Sequence, residues 1–122
     1  MAAEIRLKRA YVDASPEDGA RILVDRLWPR GKSKEKLQLT TWFKQIAPSD
    51  AVRDAFCHEV DKWPQFIKTY TAELNQSSVA DEFVKLVRNE LKNGPVTLVY
   101  GAKDEEHNQA VVLRDWLKQK LV

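Results

Sequence analysis

The sequence predicts an α/β domain built on a small, mostly parallel sheet covered by helices. Three observations support this. The β-branched apolar runs Ile22-Leu23-Val24 and Val96-Thr97-Leu98-Val99 read as buried strands. Segments with helical apolar spacing stand between them, the alternation expected when helices pack on a sheet. At 122 residues and 43% hydrophobic content, the chain can bury one core and is short for two ordinary domains, so residues 1–122 are expected to form one compact domain.

Ile5 and Leu7 alternate with Arg6 and Lys8, the pattern of a half-buried first strand. The turn-rich segment Asp13-Ala14-Ser15-Pro16-Glu17-Asp18-Gly19 follows, and Ala20 to Arg26 reads as a second strand with an apolar centre. The link is shorter than the dozen or more residues of a standard parallel crossover, so length alone leaves the relative direction of these two strands open.

Ser33 caps a brief helix that ends near Leu37. Leu39, Trp42, Phe43 and Ile46 then fall at helical spacing until Pro48, although Thr40 and Thr41 weaken a helix there. Ser49 caps a second short helix carrying Val52 and Phe56, and Pro64 suits the first turn of a third, whose apolar stripe is Trp63, Phe66, Ile67, Tyr70 and Leu74. A fourth helix opens at Ser78, with the stripe Val79, Phe83, Leu86, Val87 and Leu91, and Asn93-Gly94-Pro95 closes it. After the strand Val96–Tyr100, Asp104 is expected to cap a last helix with Glu105 and Glu106 in its first turn, Lys118 and Lys120 near its end, and a buried face of Leu113, Trp116, Leu117 and Leu121. No repeat, linker or low-complexity tract interrupts this series.

Composition narrows the function classes. Twenty Lys and Arg against eighteen Asp and Glu leave a formal net charge of +2, well short of the excess expected when nucleic-acid binding is the main task. The excess lies mostly in the N-terminal half, which permits a local basic patch. No apolar run approaches the roughly 18 residues that cross a bilayer, and Met1-Ala2-Ala3-Glu4-Ile5 lacks a signal-peptide pattern, so a cytoplasmic protein without a membrane partner is expected. Cys57 is the only cysteine, which excludes an intrachain disulfide and a paired-cysteine zinc site. Near the negative end of a short helix its thiolate is disfavoured, so it reads as a small buried filler and not as a nucleophile.

Two charged stretches leave the C-terminal ends of predicted strands, where open α/β sheets place ligands: Asp25-Arg26-Leu27-Trp28-Pro29-Arg30-Gly31 and Tyr100-Gly101-Ala102-Lys103-Asp104-Glu105-Glu106-His107-Asn108. Arg26 and Arg30 flank a turn restricted by Pro29 and Gly31, an arrangement able to hold two guanidinium forks for phosphate or carboxylate oxygens. Lys103 and Asn108 are further ligand-binding candidates, and Trp28 can stack on a base or close a pocket, although core packing suits it and the periodic Trp42, Trp63 and Trp116 better. His107 is the candidate acid or base, oriented by Asp25 or Glu106, and with Asp104 completes the catalytic candidates. Three acids at the start of the last helix would repel a phosphate there unless Arg26, Arg30 or Lys103 outweighed them, whereas a cation, an amine, a sugar or a base edge would be tolerated better. His58 and His107, with Asp25, Asp104 or Glu106, are the one combination with metal-ligand chemistry. They lack i, i+4 spacing, so no dedicated metal site is expected. No cofactor or oligomeric state follows from these residues.

Together with Asp18-Gly19, Leu23 to Gly31, Ala47-Pro48-Ser49, Trp63 with Phe66 and Tyr70, and Lys103 to Asn108, these motifs give the chain, from about Ile5 to Leu117, a resemblance to the YeaO-like branch of the family called domain of unknown function 488. The resemblance implies a compact bacterial domain of Rossmann-like character with parallel first strands, and brings no established activity. It also implies a plain residue such as Gly where Cys57 stands and an aspartate closer behind His58, so Cys57-His58-Glu59-Val60 departs from the pattern.

Three functions are consistent with this. The first is a small enzyme or ligand-binding domain with a cleft of Arg26, Arg30, Lys103, Asp104, His107 and Asn108, acting on a phosphate-bearing or nucleotide-like compound. The second is a non-catalytic module that binds nucleic acid or protein through Arg6, Lys8, Arg9, Arg26, Arg30, Lys32, Lys34 and Lys36. The third is a plain domain in which Arg26 and Arg30 pair with Asp104, Glu105 or Glu106 and lock the two loops together.

Overall fold

Apolar strands end where charged loops begin, and the four strands align so that their C-terminal ends share one edge of the molecule. The computed structural model describes residues 4–57 and 59–121. The reading of residues 1–3 as lacking a signal pattern and of His58 as a metal-ligand candidate lie outside the described residues. In chain order the elements are β1 (Ile5–Arg9), β2 (Ala20–Leu23), α1 (Lys34–Leu37), β3 (Thr41–Trp42), α2 (Asp50–Phe56), α3 (Trp63–Gln76), α4 (Ser78–Glu90), β4 (Val96–Tyr100) and α5 (Gln109–Lys120). The sheet runs β1-β4-β2-β3, and every pairing is parallel.

β4 lies between the first two strands, with Val96 opposite Ile5 on one side and Ala20 on the other. The first two strands are therefore parallel but not adjacent. Residues 10–19 connect them through one 3-10 turn, Pro16–Asp18, capped by Ser15. An extended chain reaches at most ~3.3–3.6 Å per residue, so this link can run back along a short strand and step across β4 without a helix. Gly19 ends the turn at φ +66°, and a Cβ there would lie 2.1 Å from the Pro95 carbonyl oxygen. Only glycine lets β2 start beside β4 at this point.

Strand alternation splits the sheet into two faces. Ile5, Ile22, Val24, Val96, Leu98 and Tyr100 join the main core with Phe56, Phe66, Tyr70, Leu74, Phe83, Val87, Leu113 and Leu117 from α2 to α5. On the other face Leu23 and Val99 pack with Leu37 of α1, and Trp28, Leu39 and Trp42 cover them. The Rossmann-like α/β character is thus present in the all-parallel sheet, with most helices gathered on one face. Among the described residues no helix is long and apolar enough to cross a membrane.

Three local expectations are corrected. Residues 39–46 are not a helix: Thr41–Trp42 pairs with β2, and Lys44–Ile46 is a 3-10 turn. The Thr40 amide donates to the Arg21 carbonyl at 2.8 Å and the Phe43 amide to the Leu23 carbonyl at 3.0 Å, so β2 gains an edge partner. Leu39 and Trp42 face the smaller core while Phe43 and Ile46 face the larger, so the apparent helical spacing combines two faces. Cys57 is exposed, not buried, and caps α2 at the positive φ of 43°. That left-handed conformation favours glycine, the residue type the family pattern leads one to expect there. The last helix starts at Gln109 with Asn108, not Asp104, as its cap.

Candidate functional site

Both charged stretches emerge at the C-terminal edge, and Asp25 joins them. Its carboxylate accepts from the Gly101 amide at 2.7 Å through Oδ2 and from the Gln109 side-chain amide through Oδ1. Its carbonyl accepts from the Trp42 indole at 2.8 Å. One residue after β2 therefore holds the end of β4 and the start of α5. This acid, and not the expected pairing of Arg26 with Asp104, Glu105 or Glu106, ties the two loops, and the Arg26 guanidinium turns to Pro48 and Asp50 instead.

Beyond Gly101 the second stretch folds on itself. Asp104 Oδ1 accepts from the amides of Glu106 at 2.9 Å and His107 at 3.0 Å, and Oδ2 lies 3.0 Å from His107 Nδ1. The Glu106 amide above all, with His107 adding, holds the Asp104 carboxyl below its ordinary range. Asn108 Nδ2 donates to the Asp104 carbonyl at 2.8 Å, while its Oδ1 accepts from Ala110 and Val111 at 2.9 and 3.2 Å. Asp104, Glu105 and Glu106 thus precede the helix, and the first turn of α5 carries no acid.

A cleft of about 260 Å³ opens between these loops and α2. Asp25, Arg26, Asn108 and Gln109 line its strand-end side, Arg53 comes from α2, and Ala47, Pro48, Phe56, Phe66 and Ala102 supply apolar surface. Phe56 and Phe66 stack with centroids 4.5 Å apart, which docks α2 on α3, and Arg53 lines the cleft. The Arg26 guanidinium donates to the Pro48 carbonyl at 2.9 Å. Arg26 Nε stands 3.8 Å and Arg53 Nη2 3.4 Å from the same Asp50 oxygen. All three side chains are substantially exposed, at 43%, 49% and 71%.

The structure therefore gathers Asp25, Arg26 and Asn108 at one cleft and leaves the other candidates outside its lining. Arg30 is carried off by its own turn: Gly31 takes φ +80°, the Lys32 amide bonds the Pro29 carbonyl, and the Arg30 carbonyl accepts from Tyr11 at 3.1 Å. Two guanidinium groups do share one place, but they are Arg26 and Arg53. Trp28 packs edge-on against Trp42 and donates to the Lys32 carbonyl at 2.6 Å, a packing role. Lys103 is exposed. His107 has Asp104 as its carboxylate partner and meets Trp63 edge-on at 5.1 Å. Among the described residues no group of three His, Cys, Asp or Glu is arranged to hold a metal ion. Arg53 and Gln109 were missed from the sequence, and the available signal for Arg53 was the Ala47-Pro48-Ser49 motif, which leads into α2 and supplies Ala47 and Pro48 to the cleft.

The N-terminal cations are largely committed to partners. Lys8 reaches Asp18 at 3.0 Å, Arg6 pairs with Glu4 at 2.7 Å, and Arg9 donates to the Ala102 carbonyl at 2.9 Å.

Comparison with known proteins places this geometry in context. A family model described as the inactive DUF488-N3 subclade matches residues 4–122. The uncharacterized protein YeaO of Escherichia coli strain K12 is 46% identical, over 93% of this chain and 96% of its own length. The uncharacterized proteins Rv3073c of Mycobacterium tuberculosis H37Rv and Mb3100c of Mycobacterium bovis are each 34% identical, over 93% of this chain and 92% of theirs. No solved structure matches the chain.

Proposed function

The chain belongs to the DUF488 family, in the YeaO-like branch described as the inactive DUF488-N3 subclade, and we propose that it binds a phosphate-bearing or nucleotide-like compound in the strand-end cleft without turning it over. The observation that carries this reading is the pair Arg26 and Arg53 around one exposed carboxylate. Charge-assisted hydrogen bonds to guanidinium normally close to about 2.7–2.9 Å, so contacts of 3.8 and 3.4 Å to Asp50 are loose. A phosphate can replace that carboxylate and take both forks, with the stacked Phe56 and Phe66 offering apolar surface beside it.

Binding is favoured over catalysis by the same residues. The Asp25 carboxylate is engaged with Gly101 and Gln109, the Asn108 amide with the helix end, and His107, beside Asp104, is outside the cleft lining. The word inactive in the family description agrees. The alternative, a docking surface for nucleic acid or protein, rests on Arg30, Lys34 and Lys36, which are exposed. It predicts steep salt dependence with polynucleotides and no role for Arg53.

Calorimetric titration with inorganic phosphate and nucleoside monophosphates tests the proposal. Arg26→Ala and Arg53→Ala should each cost about 1.5–3 kcal/mol of binding, roughly ten- to hundredfold. The melting temperature should hold, because exposed pairs add little stability. Wild-type protein that binds none of these anions, or variants that bind them equally well, would overturn the reading.

A further inference from the structure

A second hollow, about 380 Å³, adjoins the cleft, and Arg26 and Ala47 line both. Its character differs. Gln45, Ser49, Glu73 and Gln76 line it above the buried Tyr70, whose hydroxyl donates to the Ile46 carbonyl at 2.6 Å. The second hollow lies within the ~300–1,000 Å³ usual for small-molecule sites and the cleft just below it. Resting on the binding reading above, we infer that the ligand is a phosphorylated sugar, with its anion at Arg26 and Arg53 and its hydroxyls in the second hollow toward Glu73.

The chemistry of the second hollow selects the class. Glu73 Oε1 accepts from the Ser49 amide at 3.0 Å, and a carboxylate has about four lone-pair sites, so it retains capacity for further donors. Among the described residues Glu73 stands there without a second arginine, whereas the cleft sets Arg26 and Arg53 against Asp25 and the loosely held Asp50, which favours the phosphate at the two arginines. Gln45 and Gln76 each offer donor and acceptor, matching hydroxyls that do both. Arg26 lines both hollows, so a ligand with its anion there can carry its hydroxyls into the second. A free sugar phosphate and a nucleotide share this chemistry; in the nucleotide the base hangs from the ribose at the end away from the phosphate.

Calorimetry on the full chain with inorganic phosphate, ribose 5-phosphate, O-phosphoethanolamine and adenosine 5′-monophosphate tests the inference. Ribose 5-phosphate should bind about tenfold more tightly than phosphate, the gain expected of one or two hydrogen bonds to a charged acceptor. Glu73→Gln, which retains an acceptor for the Ser49 amide, should cut that margin to about threefold or less. Adenosine monophosphate binding more tightly than ribose 5-phosphate assigns a nucleotide, and equal binding assigns a free sugar phosphate. Phosphate binding that needs Arg26 but shows no preference for the sugar, or a preference for phosphoethanolamine, overturns this inference alone. Absence of any phosphate binding overturns it together with the reading beneath it.

Discussion

The two ends of the sheet use the same residue types in opposite circumstances. At the N-terminal end, Asp18 meets Arg21 at 2.7 Å and Lys8 at 3.0 Å, with the Asp18 and Arg21 side chains 8% and 3% exposed. The Ser15 amide adds a bond at 3.0 Å, and Arg21 Nε donates to the Leu37 carbonyl at 2.8 Å. At the C-terminal end, Arg26, Asp50 and Arg53 stand apart at 3.4–3.8 Å in water. The buried network is a joint: among the described residues Arg21 Nη2 has no hydrogen-bond partner, so even this set carries a desolvation cost, and removing its acid would multiply that cost. The exposed trio is exchangeable, because ion pairs in water contribute about 0–1 kcal/mol and yield readily to a better anion.

The contrast can be broken most severely at Asp18. Asp18→Ala should cost about 3–5 kcal/mol in urea denaturation, since it leaves two cations without their acid; a loss below about 1 kcal/mol would show that both ends behave alike. The pH dependence follows. Burial pushes the Asp18 carboxyl up, but the Ser15 amide, Lys8 and Arg21 outweigh it and hold it below its ordinary value near 3.8. The native state therefore binds that proton less readily than the unfolded chain. Its stabilisation is complete above the unfolded value and is lost as pH falls through the lower folded one, a loss that Asp18→Asn should remove from an acid titration of stability.

Asp25→Ala should have an intermediate effect, about 1–3 kcal/mol, because the Gly101 amide and Gln109 lose their acceptor. Denaturation curves would measure it, and a neutral result would mean that the two loops hold their positions without this tie. The smallest effect belongs to Arg30→Ala. Stability should stay within about 0.5 kcal/mol and phosphate affinity should not change. A tenfold loss of affinity would restore Arg30 as the second fork and remove Arg53 from that role.

Much of the fold was legible because its signals are local. Ser33 and Ser49 cap the helices they precede, Pro64 sits in the first turn of α3, and the apolar runs before both charged loops form strands or end them. Residues 39–46 were misread because their partner, β2, lies about twenty residues earlier, and edge pairing outweighs a spacing that only resembles a helix. The start of α5 was misread because Asp104 and Asn108 are equally good caps in isolation. Asp104 turns its oxygens on Glu106 and His107, which delays the helix to Gln109, where the side chain can meet Asp25.

By itself the sequence determined an α/β domain with a parallel sheet and two charged loops at its strand ends, because alternation, capping and turn chemistry act over a few residues. Which charges meet was decided by tertiary structure. Arg26 and Arg30 are near in sequence but a tight turn separates them, while Arg26 and Arg53 converge because stacked phenylalanines dock α2 onto α3 beside the sheet. A guanidinium side chain follows the element that carries it, and the placement of that element depends on packing between residues remote in the chain.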